Sequence, residues 1–111
     1  MIEIRNIDTK DDLDQFNQMS GEQLHIVKFG APWCWQCKVL SQNIKKLEDS
    51  KINGALFGSI ELDEEDTEEF GETYDVISLP TTIFFKNGIE VKRVTGVITD
   101  AKLYEYINEL S

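Results

Sequence analysis

Hydrophobic positions along this chain repeat in two periods, and the switches between them mark out its elements. Met1 to Ile4 alternates apolar and polar residues and reads as a short strand. Thr9 then precedes Asp11 and Asp12, while Leu13, Phe16 and Met19 recur at near-helical spacing. A threonine oxygen can accept an early backbone N–H, and acids suit the positive end of a helix, so a helix starts here and Gly21 is its stop. Leu24 to Phe29 is a compact apolar run, the pattern of a central strand, and Gly30-Ala31-Pro32 turns after it. From Cys34 to about Glu48, the residues Cys37, Leu40, Ile44 and Leu47 form one apolar helical stripe, broken by Asn53-Gly54. Ala55 to Leu62 is a further strand. Asp63 to Tyr74 is acidic, carries Phe70 and Tyr74 one turn apart, and reads as a short surface helix. Thr81–Lys86 and Ile89–Thr95 flank Asn87-Gly88, a hairpin signal because both turn residues need positive φ. Thr99-Asp100 opens a last helix with Leu103, Tyr106, Ile107 and Leu110 on its buried side.

The predicted order is β-α-β-α-β-α-β-β-α. Strands separated by helices imply parallel pairing through crossovers, and the Asn87-Gly88 turn adds one antiparallel edge pair. The expectation is an α/β fold, a mixed sheet with helices on both faces, in one domain over residues 1–111. Charge narrows the function. With 11 basic and 21 acidic residues the net charge is -10, so phosphates of nucleic acid or anionic lipid would be repelled. No apolar run approaches the roughly 20 residues of a membrane span, and the first residues lack the basic start and apolar stretch of a signal peptide. The chain therefore reads as soluble and cytoplasmic, and a monomer is expected. Two cysteines exclude a disulfide scaffold, and in that compartment a disulfide is transient and catalytic more often than structural.

Both cysteines lie in Ala31-Pro32-Trp33-Cys34-Trp35-Gln36-Cys37-Lys38, at the start of a predicted helix. Residues three apart on a helix have Cβ atoms about 5–6 Å apart, and a disulfide needs about 3.8 Å, so a small adjustment makes or breaks the bond. Unpaired N–H groups and the positive end of the helix dipole favour thiolate over thiol. Cys34, at the tip, is expected to be the exposed nucleophile, and Cys37, one turn in, the more buried resolving thiol. Zinc would need four ligands, and His25 is the one further soft or imidazole candidate; on a strand it reads as a surface or packing residue. A purely structural disulfide would close too short a loop to constrain the unfolded chain much.

Beyond the cysteines, the chain resembles the thioredoxin family over essentially its whole length. Ile26-Val27-Lys28-Phe29 running into Ala31-Pro32-Trp33-Cys34 is similar to the family's approach to its active site. Ser78-Leu79-Pro80-Thr81 resembles its cis-proline loop. Phe84-Phe85-Lys86-Asn87-Gly88, followed by Val94-Thr95-Gly96, resembles its terminal hairpin and active-surface glycine. The resemblance implies a thioredoxin fold, a central mixed five-stranded sheet flanked by four helices. It implies a cis Leu79–Pro80 bond packed against the cysteines, and a Leu79 backbone that pairs with extended substrate. Trp33, Leu79, Pro80, Thr95 and Gly96 map onto the partner-facing surface, with Trp33 also half-buried in the core.

Three departures from the family bear on function. Between the cysteines stand Trp35-Gln36, where thioredoxin proper usually has Gly-Pro. Trp35 is either an exposed partner contact or local packing over the disulfide, and Gln36 keeps an N–H that could bond the Cys34 sulfur. The family's buried acid, which is thought to shuttle a proton for the resolving cysteine, falls at Lys28. Lys28 either stabilises thiolate and makes the protein more oxidising, or packs its stem and pairs its ammonium with Glu61. Gln42 replaces the proline that usually bends the helix, which should leave it less kinked.

The acidic residues from Glu61 to Asp75 lack the glycine-hinged spacing of a calcium loop and read as a solvated face. Tyr104 and Tyr106 read as core or surface filler. The function expected is a thiol–disulfide oxidoreductase that reduces protein disulfides through the Cys34/Cys37 dithiol, without organic cofactor or metal. Its partners would be disulfide-containing proteins and a thioredoxin reductase. The alternatives are a specialised oxidase, isomerase or partner-dedicated reductase, and a mainly protein-binding subunit of the same fold.

Overall fold

The computed structural model describes residues 2–19, 21–62 and 67–111. Its strands are β1 (Ile4–Asn6), β2 (Leu24–Gly30), β3 (Leu56–Glu61), β4 (Thr81–Lys86) and β5 (Ile89–Thr95). Its helices are α1 (Lys10–Gln18), α2 (Trp35–Lys45), the three-residue α3 (Glu72–Tyr74) and α4 (Asp100–Leu110). One five-stranded sheet runs in the order β1-β3-β2-β4-β5. The sheet is mixed, with helices on both faces, as the sequence predicts.

Local signals place most boundaries. Thr9 caps α1 by accepting the Asp12 N–H, and Thr99 caps α4 by accepting that of Lys102. Asn87 and Gly88 both take positive φ, +54° and +77°, as the tight hairpin requires. Met19, which shares the near-helical spacing of Leu13 and Phe16, is exposed, because it is the C-cap at the helix's end while those two are buried. Of the predicted strand 1–4, Met1 lies outside the described residues; β1 begins at Ile4, because hydrogen bonding with β3, from Ile4 opposite Phe57 to Asn6 opposite Ser59, decides where strand starts. Of the predicted helix 63–74, residues 63–66 lie outside the described residues; the helical part runs from a wide turn at Thr67–Gly71 into α3.

Strand direction differs from the expectation in one place. β1, β3 and β2 are parallel, but β4 runs antiparallel to β2, and β5 antiparallel to β4. The predicted crossover between β3 and β4 does not return the chain to the far end of the sheet. The chain re-enters beside the end it left, with Thr81 opposite Phe29 and Gly30 opposite Glu61, and it is this pairing across distant segments that sets the direction of β4.

All seven residues of β2 are buried, because helices cover both faces of this central strand. Its period of two sorts the core. Leu24 and Ile26 pack with Leu40 and Ile44 of α2 and Leu103 and Ile107 of α4. Val27 and Phe29 pack on the other face with Leu13 and Phe16 of α1 and with Phe70. Each fully buried aliphatic side chain contributes about 1.5–3 kcal/mol, so both helix layers are firmly held. The same alternation sends Lys28 and Gly30 to the α2 face. Tyr104 and Tyr106 are half-buried filler: the Tyr104 hydroxyl accepts the Glu48 N–H at 2.7 Å, and the Tyr106 ring meets Phe84 edge-on.

His25 falls on the α1 face, its ring 4.6 Å from that of Phe16, and neither ring nitrogen has a hydrogen-bonding partner among the described residues. It is a packing residue, remote from the cysteines. Burial, helped by the charge of Arg5, lowers its pKa from 6.5 to about 4. The unfolded chain takes up this proton below about pH 6.5, and the folded chain does so only near pH 4. Stability is therefore lost across that window as pH falls, by about 2–3 kcal/mol in all. Urea unfolding should show wild type losing about 2 kcal/mol more than His25→Leu between about pH 7 and 4.5. Equal losses would remove this assignment.

Candidate active site

Cys34 is the N-cap of α2 rather than its first helical residue, with extended backbone angles (φ -86°, ψ 109°). It ends the turn that follows β2, where its N–H is donated to the Ala31 carbonyl at 3.1 Å. Cys37 lies one turn in. The two sulfurs form a disulfide, with Cα atoms 5.3 Å apart. The Cys34 sulfur accepts the Cys37 N–H at 3.2 Å, the third position after the cap, as a capping side chain does. That N–H belongs to Cys37 and not, as expected, to Gln36: a capping atom reaches forward over the first turn to the third residue. On reduction the same donor and the helix end stabilise a thiolate at Cys34 more than one at Cys37.

The expected exposure of Cys34 is not seen. In the disulfide state it is 4% exposed and Cys37 2%, because both pack with Ala31 and half-buried Leu79. Exposure belongs instead to the flanks. Trp33 is 78% exposed, which corrects the half-buried reading, and Trp35 is 72% exposed, so it does not cover the disulfide. Trp33 lies in the turn before the cap and Trp35 opens α2, and both side chains face solvent.

The Leu79–Pro80 peptide bond is cis. The carbonyl of buried Pro80 accepts the Gly96 N–H at 2.8 Å, and Thr81 pairs with Thr95. These contacts bring Leu79, Pro80, Thr95 and Gly96 together at the end of the sheet that carries the cysteines. Sequence reasoning missed Ile77, 96% exposed just before this loop, and Val97, exposed just after Gly96. Their signal was an apolar residue within a turn-rich stretch, where no strand or helix claims it.

Lys28 is buried, and its ammonium donates to the Ser41 hydroxyl at 2.6 Å and lies 3.8 Å from a Glu61 carboxylate oxygen. Pairing with Glu61 was anticipated, and Ser41 was not. Burial pushes its pKa below the ordinary lysine range; Glu61 opposes that shift, and the charge of Lys45 adds to it. Gln42 is exposed on α2, which runs unbroken from Trp35 to Lys45. Among the described residues no cluster of three or more His, Cys, Asp or Glu side chains could hold a metal ion, and no helix is long and apolar enough to cross a membrane.

The arrangement can pass two electrons. It has two sulfurs able to bond, a helix end favouring thiolate at one of them, and an exposed aromatic rim. The chain is similar to known proteins over most of its length. The Thioredoxin family profile matches residues 7–109. Thioredoxin of Chlamydia caviae is 35% identical over 98 residues, 88% of this chain and 93% of that protein. Thioredoxin of Oryctolagus cuniculus is 32% identical over 107 residues, 96% of this chain and 98% of that one. The X-ray structure of Fasciola hepatica thioredoxin superposes with a TM-score of 0.83, at 29% identity, over 97% of this chain and 100% of its own.

Proposed function

Given that the chain belongs to the thioredoxin family and is a thiol–disulfide oxidoreductase, we propose that it works as a reductant of protein disulfides. The observation that carries this reading is the Cys34–Cys37 disulfide at the cap of α2, packed against Leu79. In the proposed cycle, Cys34 thiolate attacks one sulfur of a partner disulfide. That bond breaks, the first partner thiolate leaves, and a mixed disulfide joins Cys34 to the partner. Cys37 then loses its proton and attacks the Cys34 sulfur, which releases the second partner thiolate and forms the Cys34–Cys37 bond. Two electrons have moved to the partner.

The partner would lie across Trp33, Trp35, Leu79, Pro80, Thr95 and Gly96, with its extended backbone against that of Leu79. Exposed Trp33 and Trp35 support an apolar contact there. Gln36, between the cysteines, shapes the same rim. Lys28 enters as a paired cation that tunes the site from behind α2, since its partners are Ser41 and Glu61 and not a sulfur. Electrons would return through a thioredoxin reductase. The protein would act as a cytoplasmic monomer, with no organic cofactor or metal.

Equilibration of the dithiol with glutathione tests the direction of flow. A potential near about -270 mV is the expected result. A value near about -120 mV would make it an oxidant and overturn the reductase reading in favour of a specialised oxidase.

A further inference from the structure

Behind the disulfide lies a cleft of about 460 Å³, bounded by α2, β2 and Glu61 at the end of β3. Cys37 forms part of its wall. From α2 it receives Lys38, Ser41, Gln42 and Lys45. These stand at helical spacings of three, four and seven from Lys38, the rows of a single helix face. Every one of these four side chains can donate hydrogen bonds. Lys28 of β2 adds a third ammonium, and Glu61 is the one carboxylate among the described lining residues.

Among the described lining residues the charges do not balance. Lys28 is the lysine paired with Glu61, and Lys45 repels it. Lys38 and Lys45 stand in no ion pair among the described residues. Among the described lining residues, three ammonium groups against one carboxylate leave an excess of two positive charges, on a chain whose net charge is -10. Ser41 completes the donor set. Its oxygen accepts from Lys28, so its own proton is free to be donated elsewhere.

We propose that this cleft binds the doubly charged oxyanion of a small phosphate monoester, held by Lys38, Lys45, Ser41 and Gln42. The charge of such a group equals the local excess, and the volume leaves room for its organic part.

The test is an NMR titration of the oxidised protein at about pH 7.5, where a phosphate monoester is mostly doubly charged. The probes are inorganic phosphate and glycerol 3-phosphate, each compared with sodium chloride at matched ionic strength. Both phosphates should give saturable shifts centred on residues 38–45 and 28–30. Lys45→Gln should weaken binding about fivefold, and Lys38→Gln with Lys45→Gln at least about tenfold. Glu61→Gln should tighten it, and Lys51→Gln, paired with Glu48 away from the cleft, should leave it unchanged. Shifts that chloride reproduces, shifts that never saturate, or a double lysine variant that binds like wild type would overturn the proposal. No turnover is involved, so failure here leaves the disulfide-reductase reading untouched.

Discussion

Cys37→Ser is expected to stop turnover and leave the partner covalently attached to Cys34. With the serine in place the mixed disulfide can form, because Cys34 keeps its cap position and the N–H of residue 37 aimed at its sulfur. It cannot resolve, because the hydroxyl is a far weaker nucleophile than a thiolate. Steady-state reduction of a protein disulfide should fall at least ~10³-fold, while a species of the summed mass accumulates and dissolves on adding a small dithiol. Cys34→Ser should lose the same activity without any adduct. The asymmetry is the informative part. The two cysteines are almost equally buried in the disulfide state, so residue burial does not rank them. What ranks them is that one sits at the helix tip and the other a turn inside. An adduct on Cys34→Ser and none on Cys37→Ser would reverse the roles. Full biological activity in the double serine variant would favour the protein-binding reading over catalysis.

Gly30→Val should be among the most damaging single changes in the sheet, and more so in the oxidised protein than in the reduced one. Gly30 ends β2 on the face toward α2, and a Cβ there would stand 2.9 Å from the Cys37 sulfur and 3.1 Å from the Cys37 Cβ. The next atom out is Lys28 Cε at 3.9 Å, so the crowding is against the disulfide and not a movable chain end. Valine adds two methyl groups to that contact. Overpacking of this kind costs about 3 kcal/mol. In the oxidised state the Cys37 sulfur is tied to Cys34 and cannot turn away. In the reduced state it can change rotamer and relieve part of the contact. Urea unfolding of both forms should show the larger loss in the oxidised one, and the potential should become less negative by linkage. Equal losses in the two states would mean that the sulfur does not press on this position.

Much of the architecture was legible along the chain because local chemistry specified it. Thr9, Thr99 and the Asn87-Gly88 pair each satisfy a backbone requirement within a few residues, and their elements lie where those signals put them. The Cys34–Cys37 spacing, the apolar run of β2 and the resemblance around Pro80 were likewise visible. The failures share a different origin. The direction of β4 depends on which end of the sheet the preceding connection brings it back to, which no pattern within β4 records. The start of β1 depends on its partner strand. The burial of Cys34 depends on Leu79, 45 residues away in sequence and brought beside it by the end of the sheet.

The candidate site divides along the same line. By itself the sequence determined which atoms can do the chemistry, because a dithiol three residues apart at a helix start is a matter of covalent spacing and helix geometry. It also determined that Lys28 shares a face of β2 with Gly30, since alternation is a property of any strand. Only the tertiary structure decided what those residues meet. It placed Ser41 and Glu61 against Lys28, turned Trp33 and Trp35 outward, and gathered the donors of α2 over a cleft shared with Cys37. The reason is physical: identity and period are local, whereas contact, burial and net local charge are sums over segments that become neighbours only when the sheet closes between its two layers of helices.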